Sequence, residues 1–227
     1  MTVNFTTWKG ITDGQRYEIP DSVVAYYDPR EEAIGELTTV TDQEGGFDLT
    51  DSTVDVISDG INNNQTFRYD SSNVGMKNTE ISVNTEPFAH ILVAEVRATD
   101  VNQKIVDTPD QRREFTLNNL SEQDGDWRIF RGGSSRQGGT VDMEPHIYEL
   151  IGDNTNEITL KIDGDVILSG PEDAGFIDGL IVGSTAEGFG AKADVDIGSH
   201  YVLDGYASGD LDTLRSQMAD DWGITID

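Results

Sequence analysis

Cysteine does not occur in this 227-residue sequence, which excludes a disulfide framework and any thiolate metal site. Basic residues are scarce: five Lys and ten Arg stand against 28 Asp and 15 Glu, for a net charge of −28. A surface so acidic repels a phosphate backbone, so no nucleic-acid partner is expected. No run approaches the about 20 apolar residues that a bilayer-crossing helix needs, and no membrane insertion is expected. The opening stretch MTVNFTTWKGITDG has no basic n-region, apolar h-region or twin arginine. The expectation is a product made in the cytoplasm that leaves the cell only inside something larger. Neither a Gly-x-Ser-x-Gly elbow nor a Gly-Lys-Ser/Thr phosphate loop occurs.

What is present argues for a folded chain. Hydrophobic residues make up 36%, and eight Phe, seven Tyr and three Trp are spread along the length, against the pattern of an acidic disordered protein. The length suits one large domain with a substantial core. At ordinary ionic strength a charge of −28 weakens a compact state by self-repulsion. In molar salt the Debye length falls to about 3 Å and the repulsion is screened. The balance therefore reads as adaptation to a salt-loving host.

Apolar periodicity gives mostly strands. Phe88 to Arg97 is the longest candidate, apolar on both faces and so expected at the centre of a covered sheet. Asp163-Gly164 between Leu160–Ile162 and Val166–Leu168 signals a tight hairpin. From Ser208 the period changes: Leu211, Leu214, Met218, Ala219 and Trp222 share one face of a helix. Ser208 reads as its N-cap and Gly223 as its C-terminal stop. Residues 1–21 read as an N-terminal arm or edge segment, and 22–227 as the domain proper. Phe5, Trp8 and Tyr17 in that arm are candidate assembly contacts with a neighbouring subunit, in a homo-oligomer or a larger assembly.

The order of segments carries a resemblance. Val24-Ala25-Tyr26-Tyr27-Asp28, Gly46-Phe47-Asp48-Leu49-Thr50, Asn63 to Asp70, Phe88 to Arg97 and Leu160-Lys161-Ile162-Asp163-Gly164 come first. Tyr201-Val202-Leu203-Asp204-Gly205 and the helix ending Trp222-Gly223-Ile224 follow. Together, over roughly Val23 to Ile226, they resemble the concanavalin A-like lectin/glucanase (laminin-G-like) jelly rolls found in virus structural and bacterial surface proteins. The resemblance implies an all-β, two-sheet antiparallel jelly-roll sandwich with a C-terminal helix.

Glucanases of that superfamily carry alternating carboxylates on one strand, and retaining hydrolysis needs two of them about 5 Å apart. The nearest match, Asp194 and Asp196, has Asp where the family pattern has Glu, lacks the third acid and reads as lying on the penultimate strand of this chain, the wrong place for that pair. The chain is therefore expected not to be an enzyme. Asp163-Gly164-Asp165 and Asp124-Gly125-Asp126 look like fragments of calcium loops but lack the ligand count and spacing that calcium requires. No cofactor is expected; calcium, which some laminin-G-like modules hold at the sandwich rim, stays open without a specific motif. His90 and His146 read as structural, and the three histidines are too scattered to act together. Arg131 to Gly139 reads as a flexible, locally basic loop, either a solvated connection or a holder of a carboxylated sugar. Trp127 beside it offers a stacking face unless strand alternation buries it. The candidate ligand-binding residues are thus Trp127, Arg131 and Arg136, with no catalytic or metal residue.

The resulting expectation is a non-enzymatic surface protein of a virus infecting a halophile, located in the virion as a capsid turret, decoration or tail fibre. Host-surface glycans are its expected ligands and other virion proteins its expected partners, and the alternative is a cellular carbohydrate-binding or carbohydrate-active protein. The charge balance predicts a melting temperature that falls as salt drops from molar to about 0.1 M, where the Debye length is about 10 Å. Thermal melts at the two salt concentrations test this, and equal values remove the halophilic reading.

Overall fold

The computed structural model describes residues 8–12, 15–70, 75–83, 85–99, 103–109, 115–120, 126–131, 134–153, 157–171, 177–184 and 192–226. Among them the first strands are β1 (Trp8–Thr12), β2 (Gln15–Glu18), β3 (Val23–Tyr27), β4 (Gly35–Leu37), β5 (Val54–Ile57) and β6 (Thr66–Tyr69). The middle of the chain supplies β7 (Met76–Val83), β8 (Phe88–Val96), β9 (Gln103–Asp107), β10 (Phe115–Leu120), β11 (Asp126–Arg131) and β12 (Ser134–Thr140). The last are β13 (Pro145–Gly152), β14 (Glu157–Ile162), β15 (Asp165–Pro171), β16 (Ile177–Val182) and β17 (Val195–Asp204), before helix α1 (Ser208–Trp222).

The strands form an antiparallel sandwich. One sheet has six strands in the order β12-β11-β10-β9-β16-β7. The other has nine, β15-β14-β13-β8-β17-β6-β5-β4, with β3 also paired to β17. Strand β17 is long enough to hold two partners on one edge: Val195–Ile197 pair with β6 and His200–Leu203 with β3. A bulge between Ile197 and His200 separates the two ladders. Strands β1 and β2 pair only with each other among the described residues.

The long central strand behaves as its composition requires. Every residue of β8 except Glu95 is buried, because the sheet is covered on both sides. Inward, Phe88, Leu92 and Ala94 join Tyr148, Leu150, Val195 and Val202 in one core with Trp127, Ile129, Leu180 and Val182 of the opposing sheet. Outward, Ile91, Val93, Ile147, Tyr201 and Leu203 form a second core under α1.

The helix lands with the predicted face down, and Leu211, Leu214, Met218, Ala219 and Trp222 are buried. Its start differs from expectation. Ala207 is the N-cap and Ser208 the first helical residue; Asp210, three residues on, accepts the Ala207 N–H at 3.0 Å and the Ser22 hydroxyl at 2.7 Å. The acid supplies the reaching-back half of a capping box, satisfying the Ala207 N–H, while alanine has no side-chain acceptor for the other half. Gly223 closes the helix in the left-handed conformation, φ 63°. Trp222 is fully buried, and its indole N–H donates to Ser199 Oγ at 3.2 Å. A Cβ on Gly198 would come within 2.7 Å of that indole, so glycine is what lets the ring sit on the strand.

The Asp163-Gly164 hairpin is as read, with φ 53° and 97° at its two turn residues. Other segments correct the sequence reading. Arg131 to Gly139 is not a loop: β11 runs to Arg131, and Ser134–Thr140 returns as β12. Strands β7 and β9 have too few apolar residues to announce themselves. Phe47 to Ile57 is irregular up to Val54, where its backbone pairing is limited to bridges from Leu49 to Val40 and Thr50 to Lys77 among the described residues.

Trp222→Ala removes a side chain with no exposed surface and is expected to cost about 3–5 kcal/mol. Denaturant unfolding in molar salt measures it; a change under 1 kcal/mol is incompatible with the packing described.

Candidate functional site

The residues singled out from the sequence do not assemble into one site. Trp127 is 1% exposed and packs edge-on against Tyr148, with ring centroids 5.0 Å apart. It faces the core because strand alternation turns it inward between Arg128 and Asp126, so it offers no stacking face to a sugar. Arg136 lies on β12 opposite Ile129; its guanidinium donates to the Ser135 carbonyl at 3.1 Å and covers Gly170 of β15. Arg131 ends β11 opposite Ser134. Trp8 and Tyr17 lie on the β1–β2 hairpin, and Phe5 is outside the described residues.

Asp194 and Asp196 are separately engaged. Arg68 holds Asp196 through two contacts of 2.7 and 2.5 Å, while Asp194 pairs with Arg97 at 3.1 Å. The other buried carboxylates are engaged too. Asp28 takes Arg30, Asp107 takes Lys104 at 2.9 Å, and Asp42 accepts the N–H groups of Tyr26, Glu44 and Phe47. Glu149, with no exposed surface, holds the Arg215 guanidinium in a charged hydrogen bond. Burial works against the Arg215 charge, but Glu149 outweighs it and raises the Arg215 pKa.

Two recesses carry groups of mixed chemistry. The first, of about 320 Å³, lies beside β7 and is lined by Asp48, Thr50, Asp51, Lys77, Asn78 and Glu80. It is polar throughout and internally tied: Lys77 pairs with Asp51 at 3.0 Å, and Asn78 donates to the Asp48 carbonyl at 3.0 Å.

The second, of about 340 Å³, lies at the foot of α1 over the outer faces of β13, β14 and β15. Ile151, Tyr206, Leu211 and Val166 give it an apolar wall, and Thr159, Lys161, Ser169 and Asp212 a polar rim. Register explains the rim. Thr159 stands opposite both Ile151 and Ser169, and Lys161 opposite Glu149 and Val166, so these side chains share the outer face in two rows. The Thr159 and Ser169 hydroxyls are 2.9 Å apart. Asp212 accepts from Arg215 at 2.8 Å, and Lys161 Nζ is 4.0 Å from Glu149. Burial, aided by Glu149 and Asp153, raises the Tyr206 pKa, which keeps its phenol protonated. No hydrogen-bond partner of that hydroxyl lies among the described residues. Sequence reasoning missed this recess because its residues come from four separate segments.

His90 and His200 meet in the inner core, Nδ1 to Nε2 at 3.1 Å, and neither is more than 1% exposed. Both are structural, as expected for His90. His146 sits at the strand start between Asp163 and Asp142, whose hydrogen bonds raise its pKa.

No family model matches the chain, and no curated protein sequence matches it. Solved structures do. Trypanosoma rangeli sialidase, in complex with 2,3-difluorosialic acid, superposes with a TM-score of 0.65 at 13% identity over 93% of this chain and 35% of its own. The botulinum neurotoxin serotype D/C binding domain gives 0.63 at 11% identity over 87% of this chain and 52% of its own. A structure described as showing that cell entry of botulinum neurotoxin type C depends on two ganglioside molecules gives 0.63 at 11% identity, over 88% and 52%. The chain spans about a third of the sialidase and about half of the toxin domains. At these identities the likeness establishes the fold alone: an antiparallel β-sandwich.

Burial pushes the His200 pKa down to about 3, and burial with the neighbouring ring lowers His90 as well. Both are neutral in the folded chain at pH 7. Below an unfolded value of about 6.5 the unfolded chain takes up protons that the folded chain refuses, so stability falls with pH from about 6.5 towards 3. One such site contributes a slope of up to about 1.4 kcal/mol per pH unit. His200→Gln is expected to flatten that slope between pH 6.5 and 4.5, measured by denaturant unfolding; an unchanged slope refutes the buried neutral pair.

Proposed function

We propose that the chain is a non-catalytic β-sandwich module of a virion surface, a turret, decoration or tail fibre of a virus of a salt-loving host, which recognises glycans. The observation that carries the non-catalytic part is the engagement of every buried carboxylate among the described residues, Asp28, Asp42, Asp107, Glu149 and Asp196, with a cation or a backbone donor. An acid fixed in this way is poorly placed to exchange protons with a substrate. The glycan part is supported by the lectin-like fold, shared with proteins whose structures are described with sialic acid and gangliosides. Fold alone does not assign activity, so it is the mixed apolar and polar recess at the helix foot that gives this reading a place on the molecule. The halophilic and virion parts are supported by the charge of −28 and by the resemblance in segment order.

A second reading, a carbohydrate-active enzyme, has one observation in its favour. Glu95 stands opposite Asp196 across β8 and β17, and burial together with Asp196 raises its pKa. A raised carboxyl beside an ionised one is how glycosidases divide acid and base roles. Against it, both Asp196 oxygens are committed to Arg68.

The module is expected to be a stable homo-oligomer in molar salt, to appear in purified virions and to release no sugar from β-glucans. Deleting Met1 to Gly14 is expected to leave it folded but weaken assembly, since interface aromatics carry a large share of binding energy. Mass measurement on both chains, beside a hydrolysis assay with Glu95→Gln as control, decides. A monomer with sugar release that Glu95→Gln abolishes establishes the enzyme instead.

A further inference from the structure

We infer that the recess between the start of α1 and the outer faces of β13–β15 is a binding site for a neutral pyranose ring, held against Tyr206 and Leu211 and hydrogen-bonded by Lys161 and Asp212. This rests on the glycan-recognition reading above and names the place and ligand class within it.

A sugar ring has a hydroxyl-bearing rim and an apolar C–H face. Its hydroxyls exchange water for protein at small net gain, so a site in water also needs an apolar platform. The recess beside β7 offers polar groups without an aromatic wall. The helix-foot recess offers both in about 340 Å³, within the size range of small-ligand sites. Tyr206, 9% exposed, lines the recess as part of its apolar wall and carries a hydroxyl with no partner among the described residues. Among the described residues Lys161 Nζ has Glu149, at 4.0 Å, as its ionic partner, which leaves ammonium hydrogens to donate. Asp212 is 70% exposed, and its one contact among the described residues, to Arg215, leaves acceptor capacity for a diol. The base beneath is fixed by buried Glu149 and Arg215, so the rim is positioned before a ligand arrives.

Charge selects the class. Lys161 and Arg215 balance Asp212 and Glu149, so the recess is locally neutral in a molecule of net charge −28. A carboxylated sugar meets Lys161 with the Glu149 carboxylate already beside it at 4.0 Å, Asp212 on the same rim, and an unfavourable overall field. A neutral sugar meets neither penalty.

The full chain is applied in molar salt to a panel of immobilised neutral and carboxylated oligosaccharides, and the affinity for any retained glycan is measured for variants. Tyr206→Phe removes only the hydroxyl, and Asp212→Asn leaves the Glu149–Arg215 pair in place; circular dichroism checks that both fold. Expected are retention on neutral glycans, an affinity loss of about tenfold for Asp212→Asn and a few-fold for Tyr206→Phe. The double variant Asp48→Asn, Asp51→Asn in the other recess should leave affinity unchanged. Retention with wild-type affinity in both helix-foot variants overturns this site while leaving glycan recognition standing. Retention on carboxylated glycans alone overturns the ligand class. No retention on any glycan overturns both the site and the reading beneath it.

Discussion

Strands β8 and β17 lie side by side at the centre of the nine-stranded sheet, and both are buried on both faces. Two-sided burial demands two covers. The six-stranded sheet supplies the inner one, and α1 supplies the outer one over Ile91, Val93, Tyr201 and Leu203. Without the helix, a row of large apolar side chains would face water at roughly 25 cal/mol per Å². The rest of the architecture serves this docking. Gly198 clears room for Trp222, the bulge in β17 lets β3 and β6 share one edge, and the aligned rings of Tyr26 and Tyr201 stack at 4.2 Å beneath the helix.

Two of the few cations are placed where that cover meets the sheet. Near the start of α1, Arg215 ties Asp212 on its own helix to Glu149 of β13. Near its end, Arg30 joins Asp28, just after β3, to Asp221 on the helix, with its guanidinium 5.1 Å from the Trp222 ring centre. Losing one partner of such a pair leaves an uncompensated charge, far costlier than loss of a surface bridge. With 15 cations for 43 acids, most carboxylates have no partner to find, and their mutual repulsion is left to dissolved salt.

The sequence was legible where one physical effect dominated. Phe88 to Val96 read as a doubly covered strand because both faces are apolar over most of its length. The helix showed itself through Leu211, Leu214, Met218 and Trp222, and the hairpin through Asp163-Gly164. Reading failed where tertiary context overrode local pattern. Met76–Val83 is a strand because it pairs with β16, not because MKNTEISV alternates. Gly138 and Gly139 suggested flexibility, yet their missing side chains let Leu168 and Ile167 of β15 close over β12. Trp127 looked like a sugar platform and proved to be core. The candidate recess was invisible for a simpler reason: Ile151, Lys161, Ser169 and Tyr206 meet only once β13–β15 have stacked and the helix has docked.

The position of that recess follows from the same docking. An α-helix with its side chains is about 10–12 Å across, and α1 packs on β8 and β13 while β14 and β15 extend the sheet beyond it. The helix edge therefore stands as a step above the outer strands. Residues at the inner corner of the step, Ile151, Tyr206 and Leu211, belong to the margin of the outer core and stay apolar; those on the tread, Thr159, Lys161 and Ser169, face water and are polar. An amphipathic concavity is thus a geometric consequence of covering a broad sheet with one narrow helix. Its specific chemistry is set by a small number of side chains that the fold itself leaves unconstrained, which is where selection for a ligand can act without disturbing the core.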